Sequence, residues 1–295
     1  MKNVIAIGNL SYNINIFLNS YPIESQAYSI VKKNKTLGNI LDICTLLSKN
    51  NINTWYFSII GDDIEGKEII NNLHKNLINT DYINTINNSK TSKNYVIRNL
   101  KTNSKTILYE KNNKKYELIR DLNFNPDIIY IDSNEYTFLK KLKDIYPKII
   151  VISTINSMEE EKLEIARLSD YVIVPIKYAE IITSLKLDLA NKKSIMDLYL
   201  KMKSIFKNNI IIYSEEFGTL YQSDNKLNII PNIKEIKQKK YNSFDIYISN
   251  IIYGITNNFH IDKTIKIATI SKFLYENNKS ILNIEEVIKI YEQNN

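Results

Sequence analysis

The chain has 295 residues, 44% of them hydrophobic and 24% charged, which is typical of a globular protein with a sizeable core and excludes a disordered or fibrous one. A single cysteine, Cys44, excludes a disulfide framework and a cysteine-built metal site, and two histidines argue against a His-rich metal centre, so we assign no metal ligands. The net charge of +7 comes almost wholly from lysines scattered among acidic residues, which favours a lysine-rich composition over a nucleic-acid-binding stripe.

The hydrophobic runs also bear on localisation. No run approaches the roughly 20 residues that a membrane span needs. The N-terminus leads directly into residues 4–7, whose pattern predicts a strand and not a signal peptide. We therefore expect a cytoplasmic protein with no membrane partner.

Strand and helix patterns alternate along the chain. Strands are predicted at residues 3–8, 54–60, 95–99, 105–109, 127–131, 148–153, 171–176, 209–213 and 227–230. Helices are predicted at about residues 39–49, 63–77, 134–145, 158–168, 178–186, 191–206, 245–257, 262–276 and 284–292. Several strands are continuously apolar, as in a parallel sheet that helices cover on both faces. The alternation predicts an α/β fold, a mostly parallel sheet flanked by helices, in one domain over residues 1–295.

Two segments interrupt the alternation, at about residues 13–35 and 90–110. Both contain short strand-like pieces with alternating polar positions, which is typical of a sheet with one face in water. We expect these two excursions to form one small β-lid beside the main sheet.

Three N-terminal stretches combine glycine with polar side chains. They are residues 5–9 followed by Asn13, residues 37–48, and residues 57–66. The third, with its Gly61-Asp62-Asp63 turn, leads into the second helix, which Asp62 is predicted to cap because Glu65 stands at capping-box spacing. In this order and spacing the three stretches resemble the ribokinase-like (PfkB) family of small-molecule kinases, which show a strand ending in Gly, a Gly-Gly-Asn-x-x-Asn helix start and a Gly-Asp-Asp-x-x-Gly turn.

The resemblance implies a substrate site at the first two stretches. Family members transfer the γ-phosphoryl group of ATP, with Mg²⁺, to a hydroxyl of a sugar or nucleoside, and hold the hydroxyls there. The matching residues of this chain are Asn13, Gly38, Asn39 and Asp42, with Leu37 in place of the first glycine. The alternative is that Asn39 and Asp42 serve only as cap and first-turn residues of the following helix.

The resemblance also implies a catalytic base. The family's Gly-Ala-Gly-Asp motif opens a C-terminal helix, its amides form an anion hole, and its Asp is the base. The matching stretch here is Asn242, Ser243, Phe244 and Asp245, so the base is present but both glycines are absent. Non-glycine residues there would crowd a phosphate. The alternative for Asp245 is an acid that only complements the helix dipole.

Two further family motifs are incomplete. In one register the Asn-x-x-Glu motif that organises Mg²⁺ has Ile176 and Ala179 at its two positions, with Glu180 one residue late. A register shifted by one residue keeps Glu180 but places Lys177 at the Asn position. In the glycine-rich turn that contacts the nucleotide, Gly218 matches, but Glu215 replaces the leading glycine. Lysines 237, 239 and 240 could supply positive charge for a phosphate, or form a solvated basic run.

These observations leave three hypotheses. The chain is an ATP-dependent kinase of a sugar or nucleoside, a catalytically degenerate relative (a pseudokinase) that binds a ligand or a protein, or a basic scaffold for nucleic acid, which the composition disfavours. Lid strands in this family often form dimers, and the sequence leaves open whether this chain is a homodimer through the lid.

Overall fold

The computed structural model describes residues 1–38, 40–102, 104–110, 114–117, 121–233, 243–278 and 283–293. Asn39, Asn242 and lysines 237, 239 and 240 lie outside the described residues. Within the described part the helices are α1 (Leu41–Lys49), α2 (Ile64–Lys75), α3 (Tyr136–Ile145), α4 (Glu160–Leu168), α5 (Ile176–Thr183), α6 (Lys192–Ile205), α7 (Ser243–Thr256), α8 (Ile261–Asn278) and α9 (Ile284–Gln293). None of these helices has the length and apolar character needed to cross a membrane.

The strands form two sheets. They are β1 (Asn3–Ile7), β2 (Ser11–Leu18), β3 (Lys32–Leu37), β4 (Asn53–Gly61), β5 (Ile83–Ile86), β6 (Ser92–Asn99), β7 (Lys105–Glu110), β8 (Ile128–Ile131), β9 (Ile150–Thr154), β10 (Tyr171–Pro175), β11 (Asn209–Ser214), β12 (Gly218–Ser223) and β13 (Lys226–Ile230). The large sheet has the order β13-β12-β11-β10-β9-β8-β1-β4-β5, and the small sheet has the order β3-β2-β6-β7.

The large sheet is parallel except at one edge. Pairing is parallel from β5 to β11, and the hairpin of β12 and β13 then adds two antiparallel strands. β1 lies near the centre, where Val4 aligns with Thr54 of β4 and Ile128 of β8. The predicted mostly parallel sheet is confirmed. Strand β12 was not predicted, because it lies in the hairpin at the sheet edge and its sequence contains the polar residues Thr, Gln and Ser.

Helices cover both faces of the large sheet, as its continuously apolar strands predict. Val4 and Ala6 point into a core shared with α1, α2, α7 and α8. Ile5 and Ile7 point to the opposite face, where α3 and α4 pack, and α6 covers the same face beyond β9. Cys44 is buried in the first of these cores, which is the structural role expected of a lone apolar-face thiol.

The small sheet comes from the two excursions that interrupt the alternation. β2 and β3 belong to the first, and β6 and β7 to the second. β2 pairs with β6 in parallel, which joins the excursions into one sheet. The sequence pattern placed a strand-like piece at residues 28–31, whereas β3 begins at Lys32, because its lysine-rich face is exposed and carries no apolar alternation. That this sheet acts as a lid within a single domain stays a prediction.

The cap of α2 differs from its predicted position by one residue. Asp63, not Asp62, is the N-cap, and its carboxylate accepts hydrogen bonds from the Gly66 amide at 2.9 Å and the Thr91 amide at 2.9 Å. The Asp62 carboxylate instead accepts from the Asn88 amide at 3.1 Å. The two acids of the turn therefore anchor the residues around β6 to the start of α2.

Gly61, at the end of β4, is expected to tolerate no side chain. A Cβ at this position would lie 2.2 Å from the Ser89 carbonyl oxygen and 2.7 Å from the Thr91 nitrogen, both backbone atoms. Gly61→Ala should lower the free energy of unfolding by about 1–3 kcal/mol. Gly8→Ala is the matched control, because its Cβ would meet the flexible end of the Ile40 side chain. Equal urea midpoints for the two variants would contradict the prediction.

Candidate active site

Three carboxylates gather at the edge of the large sheet where the parallel strands end. Asp42 lies in the first turn of α1 and Asp245 in the first turn of α7, and these two helices pack against each other. Asp132 follows β8 at the same edge. Both Asp42 and Asp132 are close enough to act on the charge of Asp245. The chain therefore places three acids, far apart in sequence, around one point.

The environment of Asp245 keeps its carboxyl group partly protonated near neutral pH. Burial raises the pKa of Asp245 from 3.8 to about 7, and the negative charges of Asp42 and Asp132 act in the same direction. Lys105, at the start of β7, opposes the shift. A carboxyl group whose pKa lies near the working pH is suited to take a proton from a hydroxyl group.

Asp132 is a site residue that the sequence analysis missed. Its carboxylate accepts hydrogen bonds from Asn156 Nδ2 at 2.6 Å and from Lys162 Nζ at 3.0 Å. Lys162, on α4, is only 5% exposed, so the pair is largely shielded from water. The signal available in the sequence was an acid directly after a continuously apolar strand, the position at which α/β proteins commonly bind ligands. The Lys162 partnership lies thirty residues further on and is not readable from the pattern.

Lys162→Met is expected to destabilise the protein markedly. Removing the ammonium leaves Asp132, whose side chain is 19% exposed, without its cation, and breaking a buried ion pair costs about 3–5 kcal/mol. Lys143→Met is the matched control: Lys143 also joins a helix to an aspartate, Asp170, but in a more open pair whose side chains are 24% and 44% exposed, so its loss should cost less. Chemical denaturation of both variants checks this, and similar losses would contradict it.

The expected substrate residues meet where the small sheet joins the large one. Asn13 Oδ1 accepts from Asn94 Nδ2 at 2.8 Å and from Ser11 Oγ at 3.3 Å, so β6 orients the Asn13 amide. Gly38 lies against this side chain, since a Cβ there would come within 2.6 Å of Asn13 Oδ1. Asp42 begins the next helix. The structure thus brings Asn13 and Gly38 into contact.

A cavity of about 540 Å³ lies between the ends of β10 and β11 and the start of α7. Its walls include Pro175, Lys177, Glu180, Glu215 and Phe244. The Phe244 ring packs against the rings of Tyr213, 4.8 Å away, and Tyr247, 6.1 Å away and nearly parallel. The ring therefore forms part of the wall directly before Asp245.

Glu215 is held by protein groups rather than left facing the cavity as a bare charge. The Tyr213 hydroxyl group donates a hydrogen bond to Glu215 Oε1 at 2.7 Å, and Lys272 Nζ lies 3.5 Å from Glu215 Oε2. Lys272 also pairs with Glu276 at 2.9 Å, and both side chains are almost fully buried. The repulsion toward phosphate that a glutamate at this position implies is therefore reduced by the neighbouring lysine.

Comparison with known proteins gives the family. The family described as "pfkB family carbohydrate kinase" matches residues 1–271. This chain belongs to the pfkB family. No curated protein matches the sequence.

Solved structures of the pfkB fold superpose over nearly the whole chain. A ribokinase from Giardia lamblia matches with a TM-score of 0.83 at 12% identity, covering 100% of this chain and 99% of that one. An Arabidopsis thaliana ribokinase complexed with ribose and ATP matches with a TM-score of 0.79 at 14% identity and 98% coverage of both chains. A Methanocaldococcus jannaschii nucleoside kinase matches with a TM-score of 0.77 at 16% identity and 99% coverage of both. At these identities the likeness shows the fold.

The pfkB motif that organises Mg²⁺ is not rebuilt by neighbouring side chains. α5 begins at Ile176, and Ala179 is fully buried. Burial acts to raise the pKa of Glu180, but the Leu187 amide at 2.9 Å and the Lys186 ammonium at 2.9 Å outweigh it and lower that pKa. The Glu180 carboxylate thus accepts hydrogen bonds from residues 186 and 187 of the loop that follows α5. The described residues of this motif therefore do not fit a magnesium relay.

The remaining positions of the pfkB nucleotide motifs have structural roles as well. Gly218 has a φ of +111°, and a Cβ there would lie 2.1 Å from the Ile230 carbonyl oxygen, so the β12–β13 pairing itself requires glycine. Ser243 is buried at the first position of α7. Whether either position contacts a nucleotide stays a prediction, as do the roles of Asn13, Asn39, Asp42, Asn242 and Phe244.

Proposed function

We propose that this chain transfers the γ-phosphoryl group of ATP to a hydroxyl group of a sugar or nucleoside, with Asp245 as the base. The observation that carries the proposal is the placement of Asp245: partly buried, in the first turn of α7, with a pKa raised to about 7. A helix dipole stabilises a carboxyl group only in its ionised form, and burial disfavours that form. A carboxylate that served only to complement the dipole would therefore gain nothing from this placement. The family membership supports the same reaction.

The proposed step is a direct displacement. Ionised Asp245 takes the proton of the acceptor hydroxyl, and the hydroxyl oxygen forms a bond to the γ-phosphorus. The bond between that phosphorus and the β,γ-bridging oxygen breaks, and ADP leaves with the electron pair. The products are a phosphate monoester and ADP, and Asp245 then returns its proton to water. Such transfer depends on positioning and electrostatic stabilisation.

The acceptor hydroxyls are expected to meet Asn13, Asp42 and Asp132. An amide and two carboxylates offer acceptors to sugar hydroxyl groups, and Asn94 and Lys162 hold two of these side chains in place. The ribose in the Arabidopsis structure and the name of the archaeal nucleoside kinase support a polyol acceptor of this size. ATP enters as a substrate with the Mg²⁺ that it carries, and no step is assigned to a protein-bound metal.

A second candidate function is favoured by the lining of the 540 Å³ cavity. The ring of Phe244 fills wall space where a glycine backbone would approach phosphate, and Ile176 and Ala179 provide no metal donors. Each lost oxyanion-type donor can cost roughly 10²–10³ in rate. These features favour a catalytically degenerate pseudokinase that binds a small ligand or a protein without transferring phosphate.

Release of ADP from Mg-ATP in the presence of a panel of sugars and nucleosides separates the two candidates. We expect release with at least one acceptor and none in Asp245→Asn. If no acceptor supports release, and ATP leaves the melting temperature unchanged even at millimolar concentration, phosphoryl transfer is excluded. A rise in melting temperature with a sugar or nucleoside alone would then identify the ligand of a non-catalytic binding protein.

A further inference from the structure

The two faces of the small sheet point at different neighbours. On one face, Lys93 reaches α2, where its ammonium lies 2.7 Å from Glu65 Oε1. Asn94 and Arg98 project from the opposite face, since alternate residues of a strand share a face. Lys105 lies directly across from Arg98 in the antiparallel pair of β6 and β7, so it shares that face as well. The side of the small sheet that carries the Asn94 contact with Asn13 is therefore also its cationic side.

The cationic face of the small sheet approaches the active site. Lys105 is close enough to interact electrostatically with Asp245 on α7 and Lys177 on α5. Although Lys105 is open to solvent, the surrounding protein lowers the pKa of its ammonium, Arg98 and Lys177 lower it further, and Asp245 acts in the opposite direction. Lys177 in turn lines the 540 Å³ cavity beside Phe244. Lys105 of the small sheet thus lies near both Asp245 and Lys177, and Lys177 of α5 lines the cavity.

Neither ammonium is neutralised by a salt bridge to a described residue. The other lysines of this region are paired: Lys162 with Asp132, and Lys272 with Glu215 and Glu276. Lys177 lies over the ring of Tyr178 and Lys105 faces Arg98, which is a further positive charge. Like charges held close together disfavour the empty state and favour binding of an anion between them.

We propose that Lys105 and Lys177 form a two-lysine anion site that holds the phosphate group in transfer, replacing the glycine backbone nest that this chain lacks. The ligand class is a phosphate of a nucleoside triphosphate, and this inference rests on the proposed function. Lysine suits the task because its ammonium binds phosphate as a point charge and needs no glycine backbone. Because Lys105 lies on the small sheet and Lys177 on α5, phosphate bound between them links the small sheet to the helix that follows β10.

Calorimetric titration of inorganic phosphate and of ATP at low ionic strength tests the site directly. Lys105→Met and Lys177→Met should each weaken phosphate binding about tenfold or more, the loss expected for one charge-assisted hydrogen bond. Lys33→Met is the matched control, because Lys33 lies on the same sheet but aligns with Ile16 on its other face. This control should keep phosphate affinity within about twofold, and Lys105→Arg should retain most of it.

Two results would overturn the anion site. One is phosphate affinity in both variants equal to that of the Lys33→Met control. The other is unchanged phosphate affinity in Lys105→Met with only an upward shift in the pH dependence of transfer, which would mean that Lys105 merely pairs with Asp245. The test is independent of catalysis. If phosphate binding depends on the two lysines but no ADP is released, the proposed reaction is contradicted and the anion site is supported. If both lysine variants transfer phosphate at the full rate, the anion site is contradicted and the proposed reaction is supported.

Discussion

The Asp245→Asn variant is expected to be more stable than the parent protein at pH 8 and to have lost phosphoryl transfer. Burial beside Asp42 and Asp132 makes ionised Asp245 costly in the folded state. A tenfold change in proton affinity is worth about 1.4 kcal/mol, so raising the pKa from 3.8 to about 7 costs on the order of 4 kcal/mol. Asparagine keeps the shape and removes the charge.

The pH dependence of this stability difference has a definite sign. Below about pH 4 the carboxyl group is protonated in the folded and the unfolded chain alike, so Asp245 contributes no cost. As the pH rises from about 4 to 7, only the unfolded chain ionises at this position, and the parent loses stability. The variant should therefore match the parent near pH 4 and exceed it above pH 7. Asp197→Asn, an exposed acid on α6, is the control and should change little.

Transfer by the parent should follow the ionised fraction of Asp245. The value of kcat/KM is expected to rise with pH and level off above about pH 7, because the base must be free of its proton. Removing the base should lower kcat by about 10²–10⁴. Asp245→Asn with parental stability at pH 8 would show that the folded protein does not raise the pKa of this carboxyl group. Full transfer by that variant would exclude Asp245 as the base.

Phe244→Gly is expected to lower the stability of the protein and to raise its affinity for ATP. The ring contributes packing against Tyr213 and Tyr247, so its loss should lower the free energy of unfolding by about 3 kcal/mol. Glycine at this position also lets the backbone amides of the α7 start approach a phosphate. We expect ATP affinity to rise about tenfold, the value of one charge-assisted hydrogen bond.

Phe244→Leu separates the two effects. Leucine keeps most of the bulk, so this variant should lose less stability and gain no affinity for ATP. Calorimetry with ATP and urea denaturation measure both quantities. If Phe244→Gly binds ATP no better than Phe244→Leu, the ring does not obstruct the phosphates. If only Phe244→Gly releases ADP with the acceptor panel, the parent protein is the degenerate member of its family.

The order of elements and the core could be predicted from the sequence. Continuously apolar strands such as β8 and β10 report burial on both faces, and the helices between them carry one apolar side each, so local pattern alone predicts the α/β class. The motif around Gly61 was also readable, because a backbone turn constrains the residue type at its own position. Strand β12 and the start of β3 were missed, since strands at or near a sheet edge can be polar or lysine-rich and then lack the apolar pattern that predicts a strand.

The individual site residues were only partly predictable. Asn13, Gly38 and Asp245 could be named because each stands within a recognisable motif. Asp132 and Lys105 could not, since each lies outside these motifs and acquires its role from neighbours far away in the chain. Lys177 stands within the Asn-x-x-Glu segment, but the motif gives no sign that it neighbours Lys105 of the small sheet. Glu180 shows the same limit, because its engagement by Leu187 and Lys186 depends on how the loop after α5 returns.

The sequence by itself determined the fold class and, to within two residues, where α1, α2 and α7 begin, because these depend on side chains next to one another in the chain. The tertiary structure alone decided the chemistry at the sheet edge. The pKa of Asp245 depends on Asp42, Asp132 and Lys105, which come from α1, the end of β8 and the small sheet. Electrostatic interaction depends on distance in space and on exclusion of water, and neither is encoded in the spacing of residues along the chain.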